Sequence, residues 1–311
     1  MQVDELVRGV LGGDRRAIAR AISAVEDGDA DLEGLSEGIF ASTGRAATVG
    51  LTGAPGVGKS TLAAEFVRTC RAHDLRAAVL AVDPTSPYTG GALLGDRVRM
   101  QEHATDPSVF IRSMATRGHL GGMALAAPEA VRILDAAGYD RVVVETVGVG
   151  QAEVDVAAAT DTAVVVLAPG LGDAVQMAKA GILEVADVFV VNKADRDGAH
   201  EVVRELRQML HLGAARDWDP PVLTATAIDH EGTESLWEAI ESHRAHLGAT
   251  GALGAKRRAR LLREVEALAA ERFRLRVASL LEADEELEEN LVARRIDPYE
   301  AAVMLVRKAA G

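Results

Sequence analysis

The stretch Gly53-Ala54-Pro55-Gly56-Val57-Gly58-Lys59-Ser60 joins a spaced set of glycines to a terminal Lys-Ser pair. The spacing is G-x-x-x-x-G-K-[ST], and each residue type has a chemical reason to stand where it does. Glycines let backbone amides turn inward around an anion at the start of a helix. Lys59 adds a point charge for the β- and γ-phosphates of a nucleotide, and Ser60 a hydroxyl for Mg²⁺. The run "ATVGL" before the loop reads as a strand, and "STLAAEFVRTC" after it as a helix. Both elements stand where the pattern needs them, so Gly53 through Thr61 are the candidate phosphate-binding residues.

A second constellation selects the base. "DVFVVNKAD" ends a valine-rich run in Asn192-Lys193-Ala194-Asp195, about 130 residues beyond the phosphate loop. A carboxylate at Asp195 can accept from the ring N–H and exocyclic amine that guanine presents side by side. Adenine has no such donor pair and would leave a hydrogen-bonding site unmatched. Lys193 can lay its aliphatic stem against the base. "TATAID" follows the next apolar run, and Thr226, Ala227 and Ile228 there are candidates to offer the base a backbone N–H. GTP and GDP, with Mg²⁺, are the expected ligands.

Three carboxylates lie between these motifs. They are Asp83 in "AVDPTSP", Asp96 in "LLGDRVRM" and Glu145 in "VVVETVGVGQAEVD". Each could bind Mg²⁺ directly or through water, or orient an attacking water. Asp83 and Glu145 sit at the ends of strand-like runs, where parallel α/β sheets place their ligand crevice. Asp96 falls in an expected loop. No glutamine directly follows Gly148, which points to slow unaided hydrolysis.

The elements that must hold these groups follow from periodicity. Residues 1–45 show apolar residues at helical spacing (Leu6, Val10 and Leu11, then Ile18, Ala21, Ile22 and Val25), with Asp14 a candidate cap. Residues 46–245 alternate helix-like segments with seven short β-rich runs: "ATVGLT", "AAVLAV", "SVFIRS", "RVVVE", "TAVVVLA", "DVFVV" and "PVLTAT". These runs do not alternate with polar residues, as expected of strands buried on both faces. The fold class expected is α/β, a P-loop nucleotide hydrolase with a mostly parallel central sheet flanked by helices. Residues 246–311 form a charged helical arm in which Leu261, Val265, Leu268, Ala269, Phe273, Val277 and Leu280 make an apolar stripe. That stripe covers either its own domain or a second subunit.

Bulk properties narrow the class further. The 311 residues are 48% hydrophobic and 26% charged, with a formal charge of −13 and only 3% aromatics. An acidic surface disfavours nucleic acid as a partner. The single cysteine, Cys70, excludes a disulfide framework and a cysteine-built metal site. No apolar run reaches the ~18 residues of a membrane span, and the start has no signal-peptide pattern. A soluble, cytoplasmic protein is expected.

Taken together, "LTGAPGVGKST", "AVDPTSPYTGGALLGDRVRM", "FIRSMATRGHLGG", "VVVETVGVGQAEVDV" and "PGLGDAVQMAKAGILEVADVFVVNKAD" resemble the methylmalonyl-CoA mutase-associated GTPases, the MeaB/ArgK family. The resemblance implies a P-loop GTPase with an N-terminal helical extension and a C-terminal helical arm that mediates homodimerisation. It implies a partner, an adenosylcobalamin-dependent acyl-CoA mutase whose cofactor delivery the GTPase gates and which it protects from inactivation. It also makes Glu145 to Gln151 a switch sensitive to the γ-phosphate. "GDAVQMAKAG" matches the family's additional switch, so Gln176 and Lys179 become candidate catalytic groups beside Lys59, Asp83 and Glu145. Lys179 could act like an arginine finger, a role worth about 10³–10⁵ in rate. Arg117 and His119 match a family signature with no mechanism attached. The rival readings are a nickel-site maturation GTPase, a kinase, and an interaction protein with a vestigial pocket. The first lacks its clustered Cys and His, and the second conflicts with the guanine reader. The third conflicts with the complete set of phosphate and base residues.

Overall fold

The computed structural model describes residues 3–29, 32–83, 103, 105–115, 123–146, 152–170, 182–213 and 216–310; for residues 83, 115, 123–125, 152–155 and 182 it describes the backbone alone. Each of the seven β-rich runs becomes a strand: β1 Ala47–Thr52, β2 Ala77–Asp83, β3 Val109–Ala115, β4 Arg141–Thr146, β5 Thr162–Leu167, β6 Val188–Asn192 and β7 Val222–Ala225. They form one sheet in the order β3-β2-β4-β1-β5-β6-β7, and every pairing is parallel. Every residue of β1, β4, β5 and β6 is buried, which is why those sequences show no alternation. β7, at the edge, is only partly covered.

Helices fill both faces. One face packs the N-terminal helices α1 (Val3–Leu11), α2 (Arg15–Asp27) and α3 (Leu32–Phe40) with α5 (Met123–Ala136) into a core that includes Leu80, Val82, Val142 and Val144. The other face buries α4 (Lys59–Ala72) and α9 (Thr233–Thr250) against Val49, Leu51, Val79, Val143, Val164 and Val190. Fully burying one such valine stabilises the fold by roughly 1.5–3 kcal/mol. The short helices α6 (Ala152–Ala159) and α7 (Ile182–Val185) and the longer α8 (Ala199–Leu212) complete the layers.

Asp14 caps α2 as expected, accepting from the Ala17 amide at 2.7 Å. Leu6, Val10, Ile18, Ala21, Ile22 and Val25 are buried, but Leu11 is exposed because the helix ends there. Polar ties fix this extension to the sheet. Arg112 at β3 pairs with Glu26, and Asp135 accepts the amides of Gly44, Arg45 and Ala46 just ahead of β1.

The chain divides into two compact units, Met1–Arg260 and Leu261–Gly311. In the first unit the start of α10 (Ala252–Glu282) is anchored at the N-terminal ends of β5 and β6. Arg257 and Arg260 reach the buried Asp161 at 2.6 and 3.0 Å, and Lys256 reaches Asp187 at 3.2 Å. Burial opposes ionisation of Asp161, yet hydrogen bonds from Arg257 and the charges of both arginines outweigh it and hold the carboxyl below its usual value. The second unit contains the rest of α10 with α11 (Glu285–Val292) and α12 (Pro298–Ala310). Its buried apolar core is Leu287, Ala301 and Leu305, supported by partly buried Val277, Leu280, Leu291 and Ile296.

Candidate nucleotide-binding site

β1 ends at Thr52 and α4 begins at Lys59, so residues 53–58 must turn within a few ångströms of neighbouring backbone. Two glycines are required there by geometry. Gly53 has φ +140°, and a Cβ would stand 2.1 Å from the Val166 carbonyl oxygen of β5. At Gly58, φ is +97° and a Cβ would fall 2.4 Å from Asn192 Nδ2. Val57 is fully buried and pins the loop into the core, whereas Pro55 and Gly56 are exposed. Gly58 caps α4 without a side chain, which leaves the first amides of the helix facing the loop. Lys59 folds back over the loop, with Nζ donating to the carbonyls of Gly53 at 2.7 Å and Ala54 at 3.2 Å. Thr61 is half-buried in the first turn of the helix.

Parallel register brings the acid to the hydroxyl. Glu145 on β4 pairs with Leu51 of β1 and with Ala81 of β2, at the C-terminal edge of the sheet. From there its Oε1 accepts the Ser60 hydroxyl at 2.6 Å, and the glutamate is only 1% exposed. Asp83 is the last residue of β2 and pairs with Ala115, so its backbone lies on this same edge. Asp96, Arg117, His119, Gln176 and Lys179 lie outside the described residues.

The base-reading motif sits on the other side of the loop. Asn192 ends β6 and is buried; its Nδ2 donates to the Val57 carbonyl at 2.9 Å, and its Oδ1 accepts the Ala227 amide at 3.1 Å. The Ala227 N–H expected to face a base is therefore committed to Asn192 here. Lys193 takes the left-handed conformation (φ +57°) and donates from Nζ to the Gly56 carbonyl at 2.6 Å. Asp195 stands exposed in the turn that follows, with the Ala194 amide bonded to the Ala225 carbonyl at 3.0 Å. Thr226 and Ala227 are buried, whereas Ile228 is 72% exposed.

Two residues outside the motifs join these parts. Glu65, buried on α4, lies 2.8 Å from His230 Nδ1 at the end of the base loop. The signal in the sequence is faint, a lone glutamate in the apolar run "TLAAEFV". Cys70, also on α4, has its thiol pushed up to about 12 by burial, so thiolate chemistry is excluded near this helix at neutral pH.

The site thus gathers a glycine-bent loop with its lysine, a hydroxyl–carboxylate pair, and an exposed aspartate on a backbone locked to that loop. Comparison with known proteins agrees with this inventory. The family described as "Methylmalonyl Co-A mutase-associated GTPase MeaB" matches residues 18–282. A Pyrococcus horikoshii protein described as a GTPase is 46% identical over 313 residues, covering 99% of this chain and 99% of its own. GTPase ArgK of Escherichia coli K12 is 40% identical over 259 residues, 80% of this chain and 78% of that one. Among solved structures, an LAO/AO transport system kinase superimposes with a TM-score of 0.72 at 26% identity, covering 99% of this chain and 98% of the other. The chain belongs to the methylmalonyl-CoA mutase-associated GTPase family, MeaB, and is a P-loop GTPase.

Proposed function

We propose that this GTPase is a cytoplasmic, homodimeric G protein that attends an adenosylcobalamin-dependent acyl-CoA mutase, with methylmalonyl-CoA mutase as its partner. It gates delivery of the cofactor and protects the mutase from inactivation, with hydrolysis slow alone and accelerated by the partner. The observation that carries the reading is the interlocked phosphate and base loops in a chain whose matched family is described by association with that mutase. Among the described residues, no helix is long and apolar enough to cross a membrane.

In this reading the amides of residues 53–61 hold the polyphosphate, and Lys59 leaves its loop carbonyls for the phosphate oxygens. Asp195 accepts the paired donors of guanine. Lys193 lines the base, and Thr226 to Ile228 close its far edge. The chemistry of the donors fits Mg²⁺, since Ser60 and Glu145 bring hard oxygens within 2.6 Å of each other at the sheet edge. Ser60 would hold the ion, with Glu145, Asp83 and Asp96 as direct or water-mediated ligands. When bound, it would neutralise charge on the phosphate oxygens. Gln176 and Lys179 supply a second switch whose contribution to the transition state appears with the mutase.

A second reading, transfer of phosphate to an acceptor, is favoured only by the name of the structural neighbour, a transport-system kinase. One experiment separates the two: GTP and ATP turnover measured alone and with each adenosylcobalamin mutase from the same source. The expected result is GTP turnover that rises when one mutase is added. Absence of binding to, or response from, every mutase removes the chaperone reading and leaves the GTPase.

A further inference from the structure

The contacts around the nucleotide site close into a ring. The phosphate loop is bonded to Asn192 through the Val57 carbonyl, and Asn192 is bonded to the base loop through the Ala227 amide. The base loop is itself shut: Thr226 and Glu231 exchange amide–carbonyl bonds at 3.1 and 3.3 Å, and Asp229 bonds back to the Thr226 carbonyl at 2.9 Å. From that loop His230, held at φ +63°, reaches Glu65 on α4, and α4 starts at the phosphate loop's own Lys59. A left-handed non-glycine residue costs energy and persists where its surroundings fix it.

The acid at the closing point is unusual for a helix pair. Arg68 Nε and Nη2 approach Glu65 Oε2 at 2.8 and 2.6 Å, and His230 Nδ1 approaches the same oxygen at 2.8 Å. A carboxylate has no proton to give, so the hydrogen in the imidazole contact belongs on Nδ1. The glutamate side chain is 4% exposed, while those of Arg68 and His230 are 46% and 58% exposed. A solvent-facing i,i+3 pair would need no such burial. Here the carboxylate lies under the base loop and holds its last residue.

We propose that Glu65, acting through His230, is a positioning residue for guanine selection: it fixes the base loop against the phosphate helix and so sets the span between polyphosphate and base. The inference rests on reading Asp195 as the group that selects guanine. A base held between two loops of fixed separation is read by its edge. If the separation drifts, the polyphosphate still binds but the carboxylate no longer meets both donors.

The test compares GDP, ADP and inorganic tripolyphosphate binding by calorimetry with Mg²⁺, for the wild type, Glu65→Ala, His230→Ala, the double variant and Glu65→Gln. Each alanine variant should weaken GDP by about tenfold, the loss of one anchoring contact, while tripolyphosphate stays within about twofold. The double variant should lose no more than either single one, since both break the same link. Glu65→Gln, which keeps an oxygen for the imidazole, should recover part of the loss. Should Glu65→Ala fail to fold, His230→Ala carries the comparison, because its ring is largely exposed. Equal weakening of GDP and tripolyphosphate would reduce Glu65 to a helix stabiliser and overturn the proposal. A GDP-over-ADP preference that stays at its wild-type value in every variant overturns it alone; no wild-type preference overturns it together with the guanine reading.

Discussion

The body, Met1–Arg260, and the arm, Leu261–Gly311, solve the problem of burial in opposite ways. In the body four strands are buried at every residue, and the buried carboxylate of Asp161 is matched by Arg257 and Arg260. In the arm the buried apolar core is Leu287, Ala301 and Leu305, while Val265 at 63%, Val292 at 78% and Tyr299 at 87% are exposed. The body also exposes Leu212 at 85% and Ile228 at 72%, so the contrast lies in the small size of the arm's core. The body packs its apolar strands inside its own helical layers, whereas the arm has a small core and leaves large apolar groups on its surface. Under the proposed homodimer, recognition of the nucleotide falls to the body and assembly to the arm, and each half can be attacked separately.

The largest effect belongs to the body. Asp195→Asn replaces an acceptor with a group that also donates, and Asp195 is exposed in a turn, so the fold should not suffer. Preference for GTP over ATP should fall by at least about 10²-fold, within the range set by sites built to hydrogen-bond one ligand. Competition binding with both nucleotides measures it. An unchanged preference would take base selection away from this motif and with it the body's half of the contrast.

A smaller effect is expected in the arm. Val265→Asp with Phe273→Asp places charge on two exposed apolar positions of α10. Sedimentation should show a dimer of the unaltered chain and association weakened by about 30-fold in the double variant, as for central apolar contacts of an interface. GDP affinity should stay within about twofold. A monomeric unaltered chain would remove the assembly role from the arm, and GDP binding that falls with association would show that the two regions are not independent.

The two regions were also legible to different degrees. The phosphate loop can be read from its letters because geometry forbids substitutes: a side chain at Gly53 would strike the Val166 carbonyl. The seven strands can be read because a doubly covered parallel strand has no polar side to hide. Asp161 could not be read, because its partners lie 96 and 99 residues away on a helix whose charges look like any solvated face. Glu65 and His230 escape for the same reason, a contact set by tertiary folding between two unremarkable residues. Leu11 fits the apolar spacing of α1 but lies at the helix end, where periodicity no longer decides burial. The stripe on α10 is legible as a stripe, but the spacing does not tell which of its residues pack within the arm. Val277 and Leu280 join the arm's own core, while Leu261, Val265 and Phe273 are exposed.

The smallest effect sharpens the comparison through acid. His243 is buried in the body, with Nδ1 2.9 Å from the Thr162 hydroxyl, Nε2 3.4 Å from Asp187, and the Trp218 ring 5.0 Å away. Burial holds its imidazole below the ordinary value of 6.5 and outweighs the opposing pull of Asp187. The unfolded chain therefore takes up this proton first, near pH 6.5, and the folded body only at lower pH. Its contribution to stability is complete above pH 6.5 and is lost as pH falls through the folded value. In the arm Asp284, beside Lys308, has its carboxyl held below 3.8, so the acid sensitivity of that contact begins only under pH 4. Hydrogen exchange at pH 7.0 and 5.5, corrected for intrinsic rates, should show protection falling in β5, β6 and α9 and holding in α11 and α12. His243→Gln should remove the change in the body while leaving the arm as it was. Protection lost first in α11 and α12 would reverse the order of stability inferred from packing, and the body would no longer be the region whose buried groups answer to pH.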